Sequence, residues 1–176
     1  MRTARPGGPL RVETQYAARR PWVPAPAALR GWAAAAHEAV RPRAARVPRG
    51  TPRARAATLC IRIVGARASR RLNRDYRGKD RPTNVLSFPS SATERALTGA
   101  LGDLVICATV VAAEARAQRK APAAHWAHMV VHGVLHLHGY DHESGREARA
   151  MEGVEVEILR GFGYQNPYRP VILRDT

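Results

Sequence analysis

The sequence predicts an α+β fold, one domain across residues 1–176, with four strands, intervening helices and one helix carrying an H-x3-H pair. Three observations predict it. Period-two apolar alternation recurs in short segments well separated along the chain. Apolar stripes at helical spacing fall between and after them. A chain of 176 residues with 45% apolar content is large enough for one core and shows no internal repeat.

Taken in order, "LRVETQYA" (10–17) alternates Leu10, Val12, Thr14 and Tyr16 and reads as a strand. Pro24 and Pro26 open an Ala-rich helix over 27–40. The segment "RPRAARVPRGTPRARA" (41–56) has six Arg, three Pro and no acid, the composition of a flexible basic connector. "TLCIRIV" (58–64) alternates Leu59, Ile61 and Ile63 as a strand, and a short helix is expected over 66–75. "PTNVLSFP" (82–89) is a strand bounded by prolines. A polar loop is expected next, then the nearly unbroken apolar run "GDLVICATV" (102–110), which suits a central strand. A helix runs from there to about 119, and Pro122 opens the helix that carries the histidines. Gly139 ends that helix as its C′ residue. From 143 to 160 an amphipathic helix aligns Met151, Val154 and Ile158, closed by Gly161 and Gly163.

The charge is uneven. The chain carries 29 Lys+Arg against 14 Asp+Glu, a net +15 that should attract polyanions, nucleic acid first among them. Residues 1–56 hold twelve Arg with only Glu13 and Glu38, so most of the excess lies outside the motif-bearing part. Cys60 and Cys107 lie far apart inside apolar runs and read as buried free thiols of a reducing compartment. No apolar run approaches the ~20 residues of a membrane span. The N-terminal stretch has no continuous apolar region of the signal-peptide kind, so a cytoplasmic location is expected.

The chemistry concentrates in "HGVLHLHGYDH", His132 to His142. His128, His132 and His136 share one helical face. At a rise of ~1.5 Å per residue, His128 and His136 stand about 12 Å apart along the axis, too far to share an ion whose bonds are ~2.0–2.1 Å. The ligand pair is therefore His128/His132 or His132/His136. His138 sits about 200° round from His136 and faces away. The second pair is favoured because Gly139 reverses the chain and His142 is the first histidine after the turn. Three imidazoles on one side would leave the fourth position of a zinc ion open. His125 and His37 read as core histidines, and His128 as packing or support one turn below the site.

This spacing is that of a zinc protease, except that Gly133 stands where the protease has its glutamate base. A phosphodiester asks instead for a metal and a cation to neutralise the developing charge. "YRGKDRP" (76–82) supplies Arg77, with Lys79 and Arg81 beside it for RNA contact. Asp141 and Asp103 are candidates for orienting a ligand imidazole.

The blocks "AHMVVHGVLHLHGYDH" (127–142), "LNRDYRGKDRPTNVLSFP" (72–89) and "LGDLVIC" (101–107) resemble the YbeY family of bacterial endoribonucleases, a likeness running from about residue 58 to 168. The resemblance implies a mixed sheet with helices and one Zn2+ per chain on His132, His136 and His142. It places the family's functional arginine at Arg77. It also implies single-strand-specific, zinc-dependent RNA cleavage in ribosomal RNA processing, at the 3′ end of small-subunit RNA, and in ribosome quality control, with the small subunit as partner. His138 stands where the family carries an apolar residue, and the 41–56 segment is unusual for it. Two other readings remain: a metalloprotease that draws its base from elsewhere, and a non-catalytic, zinc-stabilised rRNA-binding assembly factor.

Overall fold

A computed structural model describes residues 9–18, 21–40, 56–141 and 144–169. The alternating segments become strands β1 (Arg11–Tyr16), β2 (Thr58–Val64), β3 (Val85–Pro89) and β4 (Ala100–Cys107) of one sheet, in the order β1-β2-β4-β3. β1 and β4 flank β2 in parallel, and β3 pairs antiparallel with β4, so the sheet is mixed. β4 is buried along nearly its whole length because it lies between neighbours and under helices, as its continuous apolar run requires. Its register against β2 shifts at Thr58/Leu59. There Gly102 takes φ +136° beneath the Phe88 carbonyl, where a Cβ would collide with that oxygen and with Pro89. The irregularity resets the alternation, so that Leu101, Leu104 and Ile106 all reach the same core.

That core lies on one face of the sheet, beneath helices α1 (Pro26–Val40), α5 (Pro122–Leu137) and α6 (Gly145–Gly161). Trp32, Trp126, Val130, Met151 and Leu159 fill it against Leu59, Ile61 and Ile63. The opposite face is thinner: Val64, Leu86 and Val105 are covered by α2 (Ala66–Arg77) through Ala68 and Leu72. Helix α4 (Ala108–Ala117) follows β4 without a break. α5 is apolar on most sides because it is buried on most sides, packing on α1, α4, α6, β3 and β4.

The polar stretch after β3 differs from expectation. It contains a helix, α3 (Ala92–Thr98), whose N-cap Ser91 accepts from the Glu94 N–H. The S-x-x-E signature was present in the sequence, but a seven-residue helix that buries no side chain leaves no apolar period to see. Arg95 of α3 donates to the Leu137 carbonyl (2.8 Å) and so ties down the C-terminal end of α5. The run read as a strand over 102–110 ends at Cys107, with Ala108 already helical, and β3 begins at Val85 rather than 82. Of the α6 stripe, Met151 and Ile158 are buried and Val154 is partly covered. Cys107 is buried and Cys60 partly so, both as free thiols. Residues 41–55 of the basic segment lie outside the described residues. Among the described residues no helix is long and apolar enough to cross a membrane.

Candidate metal centre

Helix α5 approaches the sheet at Gly133. A Cβ there would lie 2.8 Å from Leu104 Cδ2 and 3.4 Å from Val85 Cγ2. The glycine therefore lets the helix seat closely against β4 and β3, and a side chain at this position would have to displace the Leu104 methyl groups. The flanking His132 and His136 are four apart and face the same way. Their Nε2 atoms stand 3.1 Å from each other, with ring centroids 4.5 Å apart. Two nitrogens each ~2.0–2.1 Å from one tetrahedral ion stand about 3.3 Å apart, so this spacing fits a shared metal. His138 is the C-cap and Gly139 follows with φ +88°, a left-handed turn that reverses the chain as expected. His142 lies outside the described residues, so the third imidazole has no described position.

The chemistry of His132 is set from behind by Glu155 of α6. The Nδ1 of His132 is 2.8 Å from Glu155 Oε1, while Tyr168 donates its hydroxyl to Oε2 and His128 Nε2 lies 3.6 Å from the same oxygen. Glu155 is 0% exposed. Burial pushes its pKa up, but the nearby His128 and the hydrogen bonds from His132 and Tyr168 outweigh burial and bring it down to about 2. An ionised carboxylate only accepts, so Nδ1 of His132 must carry the proton. Its Nε2 then presents a lone pair towards His136, the tautomer that a metal ligand needs. Burial, and next the Glu155 hydrogen bond, raise the pKa of Tyr168, which keeps its hydroxyl a donor. Burial lowers that of His128 despite the nearby carboxylate.

His128, His132 and Glu155 form a cluster that could hold a metal ion, with ligand atoms within 4.8 Å of one another. The donor types are those of a transition-metal site. In that arrangement His132 would bind through Nδ1 and Glu155 directly. In the arrangement expected from the sequence, His132 and His136 would bind through Nε2 and Glu155 would hold His132 in place.

The histidine pair opens into a cleft of about 510 Å3 lined by Arg77, Lys79, Arg81, Asn84, Ser87, His132, His136, Tyr140 and Asp141, among others. The structure thus brings the three basic residues of the 76–82 loop to the two described histidines. Arg77 ends α2, and Gly78 (φ +68°) turns the chain away behind it. Its guanidinium donates to the Ser87 carbonyl (3.0 Å) and lies 5.7 Å from the Phe88 ring centre. That bond falls on the free edge of β3. The Val85 N–H on the same edge donates to Asn84 Oδ1 (2.7 Å), and Pro89 has no N–H. An edge with one carbonyl and one N–H taken in this way, and a proline at its end, offers less to an incoming peptide strand.

Asp141 lines the cleft, whereas Asp103 does not belong to it: it is exposed on β4, in a hollow with Arg11, Glu13 and Glu94. Asp103 sits on the solvent side of the pleat, a half-period from the residues that face α5. His37, His125 and His138 do not line the cleft. His37 Nδ1 meets His138 Nε2 at 3.1 Å, away from the cleft. His125 Nε2 contacts Glu114 (2.8 Å), whose carboxylate also takes both bonds of the Asn84 amide. Glu155 escaped the sequence reading. Its signal was a carboxylate four residues after Met151 and three before Ile158, in phase with the buried stripe.

The sequence matches the profile described as "Endoribonuclease YbeY" over residues 33–163. It is 51% identical over 164 residues to the Endoribonuclease YbeY of Alkalilimnicola ehrlichii, covering 91% of this chain and 92% of the relative. It is 48% identical over 167 residues to the protein of the same name from Stenotrophomonas maltophilia strain K279a, covering 92% and 96% respectively. The solution structure of TM1509 from Thermotoga maritima aligns with a TM-score of 0.50 at 19% identity, over 91% of this chain and 99% of that one, a likeness of fold.

Proposed function

The chain belongs to the YbeY endoribonuclease family, and from that membership we propose that it is a zinc-dependent endoribonuclease cutting single-stranded ribosomal RNA. Its place would be 3′-end maturation of small-subunit RNA and ribosome quality control, in the cytoplasm. The observation that carries the reading is the pair of facing Nε2 atoms, 3.1 Å apart, in a cleft that Arg77, Lys79 and Arg81 also line.

In this reading His132, His136 and His142 hold one Zn2+, which supplies Lewis acidity to a phosphodiester oxygen. Glu155 keeps the His132 proton on Nδ1. Arg77, fixed by the Ser87 carbonyl, stands where charge on the phosphoryl oxygens needs a bidentate cation. Lys79 and Arg81 attract the RNA backbone. The chain's excess of positive charge agrees with a polyanionic substrate. Two features weigh against a peptidase: Gly133 supplies no base, and part of the β3 edge is taken up by Arg77, Asn84 and Pro89.

The test compares zinc content and cleavage of a structured RNA with a single-stranded 3′ tail in wild type, His136→Ala and His128→Ala. Loss of both properties in His136→Ala, with zinc retained in His128→Ala, is the expected result. Zinc retention and full cleavage in His136→Ala would overturn the assignment and leave the His128/His132/Glu155 arrangement as the metal site. Cleavage of an unfolded protein with RNA untouched would return the protease reading.

A further inference from the structure

The outer face of α2 carries four arginines that packing does not explain. Ser69 and Asn73 are its buried residues, and Ala68 and Leu72 meet the thin core above β4, so Arg67, Arg70, Arg71 and Arg74 project to solvent. Arg70 is engaged by Asp80 in a bidentate pair (2.9 and 2.6 Å), and Arg74 contacts Asp75 at 3.1 Å. Among the described residues Arg67 and Arg71 have no acidic partner. They are four residues apart, and Arg71 and Arg74 three apart, spacings at which like charges repel along a helix. Arg67 also lies in the first turn, where the helix dipole disfavours a cation, and that turn holds no acid. The stripe weakens the helix locally and would gain from a polyanion laid along it.

The stripe runs towards the cleft. From Arg67 to Arg77 the helix rises about 15 Å, enough for more than one backbone phosphate. At the cleft end, Tyr76 is 61% exposed, although a large aromatic ring beside a hydrophobic neighbour would normally be covered. Its ring stands edge-on to Phe88 with centroids 5.1 Å apart, and the Arg77 guanidinium lies near the same Phe88. The phenol face is thereby steadied while remaining open.

We propose that α2 carries a binding track for single-stranded RNA: Arg67, Arg71 and Arg74 take backbone phosphates along its outer face, and the strand passes Arg77 at the end of the helix to reach Tyr76, about 180° round from Arg67, which stacks one unpaired base over Phe88. The proposal rests on the endoribonuclease reading for the chemical class of its ligand. An A-form duplex keeps its bases stacked inside and has none to place on Tyr76, so the track favours unpaired strands.

Binding is measured by fluorescence anisotropy of a labelled unstructured oligoribonucleotide and of the same sequence as a duplex, over a KCl series. The full chain carries His136→Ala throughout, so that turnover does not enter. Arg67→Ala/Arg71→Ala should lower the slope of log K against log salt by about 1.4, two contacts at ~0.7 each for a single strand. The charge-matched pair Arg30→Ala/Arg146→Ala, on α1 and α6, should lower it by less than half as much. Tyr76→Ala should weaken single-strand binding about 5- to 150-fold, the range for one base on an aromatic ring, leave duplex binding alone, and be rescued by Tyr76→Phe. An unchanged slope in the α2 pair, an equal fall in the control pair, or wild-type affinity in Tyr76→Ala would overturn the track. Cleavage plays no part in these readings, so a wild type that binds along α2 but does not cut RNA would sink the nuclease reading and leave the track standing.

Discussion

His132 and Glu155 stand 23 residues apart in the chain and 2.8 Å apart in space, and the carboxylate decides which nitrogen of the imidazole holds the proton. Glu155→Gln keeps the shape but replaces one acceptor oxygen with an NH2 group, so it cannot accept from both the His132 Nδ1–H and the Tyr168 hydroxyl. If Glu155 orients His132, zinc affinity should fall about 10- to 100-fold with one ion still bound at saturation. Chelator competition reads this. Loss of the bound ion at saturation would show Glu155 to be a ligand itself, and unchanged affinity would show it to be neither.

Glu114 links three elements, taking the Asn84 amide from the start of β3 and the ring of His125 from α5. Burial raises its pKa, but the hydrogen bonds from His125 and Asn84 prevail and hold it below the usual glutamate range. The sign follows: a carboxyl depressed in the folded state contributes stability above its unfolded pKa, and that contribution is lost as pH falls through the lower folded value. Thermal unfolding of wild type should therefore weaken below about pH 4.5. Glu114→Gln should start less stable at pH 7, by about 1–3 kcal/mol, and lose less on acidification. Parallel Tm–pH curves for the two proteins would refute this.

Gly133→Glu would restore the glutamate of a zinc protease. With a Cβ 2.8 Å from the Leu104 methyl, the side chain must displace that methyl from the core or shift α5 against β4. The urea midpoint should fall by the equivalent of about 2–3 kcal/mol, and no cleavage of unfolded protein should appear. Wild-type stability would mean that the helix–sheet contact is looser than described.

What could be read in advance follows from the range of each interaction. The strands and long helices announce themselves because burial imposes a period, as in Leu59, Ile61 and Ile63. The facing pair His132/His136 was legible because i,i+4 geometry is fixed by the helix alone. Arg77 could be named but not placed: only the fold of β3 beside α5 brings it to the histidines. Glu155 and Tyr168 were invisible because their partners lie on another helix, and a buried carboxylate makes sense only once its donors are known. Asp103 shows the opposite failure. It has the right residue type near the right motif, but the pleat turns it away.

Arg77 offers the sharpest separation of charge from geometry. Its guanidinium donates to the Ser87 carbonyl through Nη2 and to the Tyr76 carbonyl through Nη1, and the side chain lines the same cleft as His132 and His136. Lysine keeps the charge but has no planar fork, so it cannot hold the β3 edge and grip a phosphoryl group together. In Arg77→Lys, kcat for RNA cleavage should drop about 10²- to 10³-fold, the cost of losing one positioned donor to developing charge, while KM and zinc content change little because attraction to the backbone survives. Arg77→Ala should lower kcat at least as far and raise KM as well. The distinction matters, since a residue serving only to attract RNA would show the reverse: Arg77→Lys near wild type in kcat and the loss confined to KM in Arg77→Ala. Single-turnover cleavage at saturating enzyme, which removes binding from the rate, decides between the two.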